Sequence, residues 1–323
     1  MKLLYIVIDG MGDLPDKNLG YKTPLEAAIT PNLDALARKG KTGLMYSVRK
    51  GVAPESDVAV ISLLGYDPFK YSTGRGIIEA VGAGLSLKDG DLALRCNFAT
   101  VGNGTEILDR RVARSLSTKE AVDLSKAANK EIMLTSHPAT FDFENTLGHR
   151  AVLVIKSKGR ALSGKITNTD PAYSIVNGLG VAETTVDMHL KTCKPIDNSE
   201  ASQISADLVN EFTEKTHQLW ENHPINKKRE KEGKLKANAV LSRDAGSLLP
   251  HFFSINDRYG VDFAALADMQ AENGIAKLAG MQSTLLPPPS RSRIFSFIAA
   301  VYSLAVTIPS SFIFAKTTFL RFI

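Results

Sequence analysis

Two positions carry side chains whose type and setting could do chemistry. Asp9 closes the run Leu3-Leu4-Tyr5-Ile6-Val7-Ile8 and opens a glycine-punctuated loop, Asp9-Gly10-Met11-Gly12-Asp13. A carboxylate at the carboxyl end of a buried strand either holds a divalent cation through oxygen or satisfies loop N–H groups. Ser56 lies in Val52-Ala53-Pro54-Glu55-Ser56-Asp57-Val58, where a helical pattern begins. There it either caps the helix or, with a metal lowering its pKa, attacks a phosphate drawn to the free N–H groups.

The elements that must position these groups follow from the pattern. Leu3 to Ile8 reads as a strand buried on both faces, as in a parallel sheet. Thr30 is a candidate cap for a helix opened by Pro31, carrying Leu33, Leu36 and Ala37 and ending at Gly40. A second helix is predicted over Ser56–Leu64, before the glycine-rich stretch from Gly74-Arg75-Gly76 to Gly84. From about residue 90, strand-like runs (Leu92–Phe98, Ala151–Ile155) alternate with turns and a helix near Lys119–Asn129. A long helix is predicted over Ser199–Trp220, with Ile204, Leu208, Phe212 and Leu219 on one face. The run from Asn226 to Glu232, holding Lys227 to Lys231, reads as a solvated linker. No internal repeat is visible.

Composition narrows the class. The chain has 323 residues, 44% hydrophobic and 23% charged, the balance of a soluble globular protein of about two domains. Four of its 39 basic residues, and none of its 34 acidic ones, fall in residues 291–323, so the remainder is near neutral. That argues against a nucleic-acid partner, which needs basic charge gathered on one face. Cys96 and Cys193 cannot staple a fold of this size, and a reducing compartment is the simplest reading. The opening apolar run ends at Asp9 without a cleavage-site pattern, so it reads as a strand rather than a signal peptide.

Taken together, the motifs are more specific. Asp9-Gly10, Thr23-Pro24-Leu25-Glu26-Ala27-Ala28-Ile29-Thr30-Pro31-Asn32-Leu33-Asp34, Pro54-Glu55-Ser56-Asp57, Leu64-Gly65-Tyr66-Asp67-Pro68 and Gly74-Arg75-Gly76 occur in that order. Arg95-Cys96-Asn97-Phe98-Ala99-Thr100, Asp109-Arg110-Arg111, His149-Arg150-Ala151-Val152-Leu153, Thr169-Asp170-Pro171, His223-Pro224-Ile225-Asn226 and Ala237-Asn238 follow. Over about residues 1–290 this order resembles the archaeal-type, 2,3-bisphosphoglycerate-independent phosphoglycerate mutases of the alkaline phosphatase superfamily. The resemblance implies an α/β fold: an alkaline-phosphatase-like parallel-sheet core, here incomplete, with an inserted smaller α/β substrate domain. The expected division is core over 1–88, insertion over 89–236, core again over 237–290, and an atypical apolar, basic tail over 291–323.

The resemblance also implies a chemistry. Such an isomerase of glycolysis and gluconeogenesis interconverts 3-phosphoglycerate and 2-phosphoglycerate through a phosphoserine, with two divalent ions, manganese or magnesium, at the serine. Ser56 matches the nucleophile and a metal ligand, and Asp9 matches a metal ligand. Guanidinium forks grip phosphate and carboxylate bidentately, which makes Arg95, Arg110, Arg111 and Arg150 the candidate substrate contacts. Asp170 is the candidate acid or base for the glycerate hydroxyls. The expected location is the cytoplasm and the expected partner a small phosphoglycerate.

The family's remaining metal ligands come late, as Asp-x-x-x-His, Asp-His and a further His. None of the six histidines (His137, His149, His189, His217, His223, His251) has Asp four residues before it or directly before it. Residues 291–323 hold no His, Asp or Glu, and Ile294 to Ala315 is uncharged. The expectation is a tail arising from a frameshift, retained intron or alternative exon, and impaired mutase activity. Competing readings are a membrane anchor, a diverged domain end, a related metal-dependent phosphohydrolase and a non-catalytic remnant. A membrane span is disfavoured because Pro309 and hydroxyl side chains interrupt the apolar run.

Overall fold

The computed structural model describes residues 3–286, apart from 10, 53, 103, 177–178 and 268, together with 311–317. Expectations about the proline-rich border and most of the tail fall outside the described residues. The chain divides into two compact units, one of residues 53–253 and 270–279, the other of 1–52, 254–269 and 280–323. The stretch 89–236, expected to be an insertion, lies wholly inside the first.

The first unit is built on an antiparallel sheet. Its strands are β2 (Leu92–Val101), β3 (Ile107–Asp109), β4 (Ala139–Leu147), β5 (Arg150–Ser157) and β8 (Ala239–Gly246). β2 pairs with β3, β5 and β8, and β4 completes the far edge beyond β5. A separate hairpin joins β6 (Tyr173–Val176) to β7 (Leu179–Ala182). Every residue of β2 is buried, because helices cover both faces of the sheet. On one face Leu92, Leu94, Cys96 and Phe98 meet α6 (Thr118–Glu131) and α7 (Glu200–Glu221). There the Phe98 and Trp220 rings stack with centroids 5.0 Å apart. On the other face Ala93, Val152 and Val154 meet Ile77 and Ala80 of α5 (Arg75–Ala83). The period-2 alternation of strands therefore sends Arg95, Arg150 and Arg243 to the α5 side.

Backbone approach explains two glycines. Gly74 caps α5 at φ 106°, and a Cβ there would lie 2.5 Å from the Ala245 carbonyl. A Cβ at Gly274, in α10 (Gln270–Leu278), would collide with the Ile78 carbonyl where α10 crosses α5. Two short helices precede α5: α3 (Ser56–Leu63) and α4 (Pro68–Tyr71).

The expected linker after α7 is instead the helix α8 (Pro224–Lys231). Pro224 suits the first helical position and the His223 ring accepts from the Ile225 N–H. Its charges are not all solvated, since Arg229 is fully buried. The guanidinium donates to the Leu235 carbonyl at 2.8 Å, the Ser115 hydroxyl at 2.7 Å and Glu120 at 3.0 Å. Those acceptors satisfy the buried charge that a sequence reading assigns to water.

The second unit holds a parallel sheet of β1 (Leu3–Ile8), β9 (Asp262–Ala267), β10 (Gln282–Leu285) and β11 (Ser311–Thr317), in the order β1-β11-β9-β10. It also holds α1 (Pro24–Ala27), α2 (Pro31–Lys39) and α9 (Ile255–Tyr259). β1 is a strand as expected but is not buried on both faces: Leu3, Leu4 and Ile6 are nearly half exposed. It sits at the sheet edge, and α2 buries none of its own residues. Thr30 stands at the N-cap of α2 without capping it, because its hydroxyl donates to Asp34 instead. The described part of the tail is a strand between β1 and β9. Among the described residues no helix is long and apolar enough to cross a membrane.

Candidate active site

Ser56 is the first residue of α3, and Glu55 occupies the N-cap position, so Ser56 does not cap the helix. Its two neighbours lock the turn in place. Glu55 and Asp57 each reach Arg75 Nη1 at 3.5 Å, and Arg75 Nε bonds Glu79 at 2.7 Å, one turn along α5. Glu79 in turn meets Arg95 Nε at 3.2 Å. Arg75, Glu79 and Arg95 are all buried. Burial pulls the Arg95 pKa down to about 10, against the opposing pull of Glu79. Burial disfavours the Glu79 carboxylate, yet the Arg95 and Arg75 charges hold its pKa below the usual range.

A second knot lies beside the first, because Arg95 and Arg243 face each other across β2 and β8. Arg243 Nη1 donates to Asp170 Oδ2 at 2.8 Å, and Arg110 grips both Asp170 oxygens at 2.8 and 2.6 Å. Both guanidinium groups lie over the Tyr173 ring, at 4.1 Å for Arg243 and 5.3 Å for Arg110. Asp170 is fully buried. Burial alone would raise its pKa, but the hydrogen bonds from Arg110 and the Arg243 charge hold it below the ordinary value. In this arrangement both carboxylate oxygens of Asp170 are engaged by arginines.

Arg111 and Arg114 line a cleft of about 470 Å³ with Leu108, Asp109, Arg110, Ala113 and Met188. The backbone there is strained: Val112, Ala113 and Arg114 all have positive φ, near 50°. Asp109 pins that turn by accepting from the Arg111 and Ala113 N–H groups at 2.7 and 2.8 Å. His149 ties the cleft to Arg150 and Arg95. Burial, then the charges of Arg150, Arg111, Arg114 and Arg95, push its pKa down to about 3. It is therefore a neutral imidazole at neutral pH.

The structure thus gathers Arg95, Arg110, Arg150 and Asp170 into one unit with Ser56, and Arg111 at its edge. Asp9 follows β1 in the other unit. Sequence reasoning passed over Glu55, Glu79, Arg243, Asp244, His149 and Tyr173 as site residues. One signal was available: Arg243 and Asp244 are charged residues inside the otherwise small and apolar strand from Ala239 to Gly246.

The implied metal pair was tested on the donor set. Among the described residues no three His, Cys, Asp or Glu side chains converge as a metal would require. The described residues therefore do not fit two divalent ions.

Comparison with known proteins places the chain. Residues 37–226 match the family described as 2,3-bisphosphoglycerate-independent phosphoglycerate mutase. A protein of that name from Aeropyrum pernix is 43% identical over 91% of this chain and 69% of its own length. One from Methanosphaera stadtmanae is 41% identical over 89% of this chain and 66% of its own. The chain therefore spans about two thirds of these relatives. Among solved structures, a cofactor-independent phosphoglycerate mutase from Thermoplasma acidophilum is 30% identical, with TM-score 0.56, over 98% of this chain and 77% of that one. A Pyrococcus horikoshii protein superimposes with TM-score 0.68 at 26% identity, over 98% of this chain and 69% of that one. On these grounds the chain belongs to the 2,3-bisphosphoglycerate-independent phosphoglycerate mutases, an isomerase family with an alkaline-phosphatase-like α/β fold.

Proposed function

We propose that Ser56 accepts the phosphoryl group of 3-phosphoglycerate and returns it to the 2-hydroxyl, so that the chain interconverts the two phosphoglycerates. The observation that carries this reading is the convergence of Arg75, Arg95, Arg110, Arg150 and Arg243 in the unit that holds Ser56 at a helix start. In the first half-reaction a bond forms between Ser56 Oγ and phosphorus while the bond to O3 breaks, and the Ser56 proton passes to the leaving alkoxide. In the second half-reaction O2 attacks phosphorus while the bond to Ser56 Oγ breaks, and the proton of the O2 hydroxyl ends on Ser56 Oγ. The N-terminal end of α3, with its positive dipole end, suits the equatorial phosphoryl oxygens. Arg110, freed from Asp170, would hold the phosphate or carboxylate bidentately, with Arg95 and Arg150 beside it and Arg111 at the cleft. Asp170, once released, would take the hydroxyl proton.

The stretch 89–236, on this reading, is the substrate-binding insertion, and the setting is cytoplasmic carbohydrate metabolism. The family resemblance implies two divalent ions, manganese or magnesium, to stabilise the transferring group. Asp9 and Ser56 are the residues here that match their ligands, and turnover is accordingly expected to be impaired.

The test is an assay of the full chain with 3-phosphoglycerate, with and without added manganese, following 2-phosphoglycerate, free phosphate and phosphoserine by mass spectrometry. Phosphoserine at residue 56, lost in Ser56→Ala, supports the reading. Free phosphate without 2-phosphoglycerate would instead mark a phosphohydrolase. Turnover that survives Ser56→Ala overturns the mechanism, and rapid turnover of the unaltered chain overturns the impairment.

A further inference from the structure

Asp244 is the least comfortable residue in the arginine network. It is only 6% exposed, yet among the described residues neither carboxylate oxygen has a hydrogen-bond partner. Its ion pair to Arg243 Nε, at 3.3 Å, lacks hydrogen-bond geometry. Its backbone is left-handed, at φ 57°, a conformation that disfavours a non-glycine residue. The neighbouring hairpin gives it little room: a Cβ on Gly180 would lie 2.9 Å from Asp244 Oδ1 and 3.4 Å from the Glu55 carboxyl.

The charge count sharpens the anomaly. Arg75, Arg95, Arg110 and Arg243 face Glu55, Asp57, Glu79, Asp170 and Asp244, four cations against five carboxyl groups. With Arg150 and its further neighbours Arg111 and Glu272, the count is only even. An anion site needs a positive surplus. The surroundings register the strain. Burial raises the pKa of Asp244, against the opposing pull of Arg243.

We propose that the Asp244 carboxylate is a built-in anion that competes with a phosphorylated ligand for Arg243 and its arginine neighbours, and so sets the affinity of the site. The inference rests on the reading of this network as an anion site. It makes Asp244 an affinity-determining residue: the side chain supplies the negative charge that a bound phosphate would otherwise bring, and a ligand must displace or neutralise it.

The test is titration of the full chain, Asp244→Asn and Asp244→Gly with inorganic phosphate and 3-phosphoglycerate, by calorimetry, with thermal melts in parallel. Asp244→Asn removes the charge and keeps the backbone; Asp244→Gly also relieves the left-handed strain. Both should bind at least about tenfold more tightly, which is about 1.4 kcal/mol. The glycine variant should also melt higher than the asparagine variant. Binding by the unaltered chain that neither variant improves overturns the role of Asp244 and leaves the anion site standing. Absence of binding by all three proteins overturns the anion site and the proposal together. Asp244→Asn keeps the test decisive if Asp244→Gly does not fold.

Discussion

The two units use sheets in opposite ways. In the first, β2 is covered on both faces, and its alternation places an aromatic core on one side and the arginines on the other. In the second, β9 is buried over five of its six residues while β1, in the same parallel sheet, leaves Leu3, Leu4 and Ile6 nearly half exposed. One unit therefore contains both the hydrophobic contacts that hold its strands and the rigid surface that aims its charges. In the other, Asp9 follows the edge strand β1. Preorganisation of charged groups depends on supporting packing. The arginine network meets that requirement.

The hardest blow to the well-packed unit should come through Arg229. Truncation to alanine leaves the Ser115 and Leu235 oxygens and Glu120 without their donor, at a cost of about 3–5 kcal/mol. Trp220, the only tryptophan, is buried in this unit's core, so urea unfolding followed by its fluorescence measures the loss directly. Arg229→Lys should rescue only part, because an ammonium cannot fork to acceptors on three residues. A loss below about 1 kcal/mol would return α8 to the status of a solvated strap.

In the parallel-sheet unit the matching probe is Leu266, fully buried in β9. Leu266→Ala should cost about 2–5 kcal/mol. Hydrogen exchange of peptides from β9 and β10 reads it, and protection there should fall first. Equal loss of protection in β2 would show that the two units open as one.

Acid should discriminate between the units as well. His149 has its pKa pushed down to about 3 in the fold, against 6.5 for a free imidazole. Between those values the unfolded chain binds a proton that the folded chain refuses. Its contribution therefore favours folding fully above 6.5 and is lost progressively as pH falls toward 3. Glu55, with its pKa raised from 4.5 to about 7, works in the opposite sense: the folded chain keeps its proton there, so its contribution fades as pH rises through that window. Comparing His149→Gln with the unaltered chain isolates the imidazole. The variant's urea midpoint, followed at Trp220 from about pH 7 to 5, should fall less with acid. Parallel curves would remove His149 from the arginine cluster.

Much of this organisation is legible in the residues. The run Leu3–Ile8, the β-branched stretch at Ala151–Ile155 and the spacing of Ile204, Leu208 and Phe212 all became the elements their periods predict. The motif order carried the family. What escaped is what periodicity does not encode. The charge run Lys227–Lys231 hides one arginine whose acceptors lie more than a hundred residues earlier in Ser115 and Glu120. The engagement of Asp170 depends on Arg110 and Arg243, which are 60 and 73 residues away. Burial of β1 failed because an apolar run specifies a strand but not the layers that cover it.

The smallest effect tests that last point. Leu4 and Leu266 are the same residue type in the same parallel sheet, at 49% and 0% exposure. A half-exposed leucine has little left to lose in transfer from water, and no cavity forms when it is shortened. Leu4→Ser should therefore change stability by no more than about 0.5 kcal/mol, within the range of surface substitutions. It should also lower the tendency of the chain to associate, because the exposed apolar edge is the kind of surface that recruits other strands. Denaturant midpoints and light scattering on the same samples separate the two readouts. A loss of several kcal/mol would mean that β1 packs as deeply as β9, and the contrast between the two sheets would collapse into one rule.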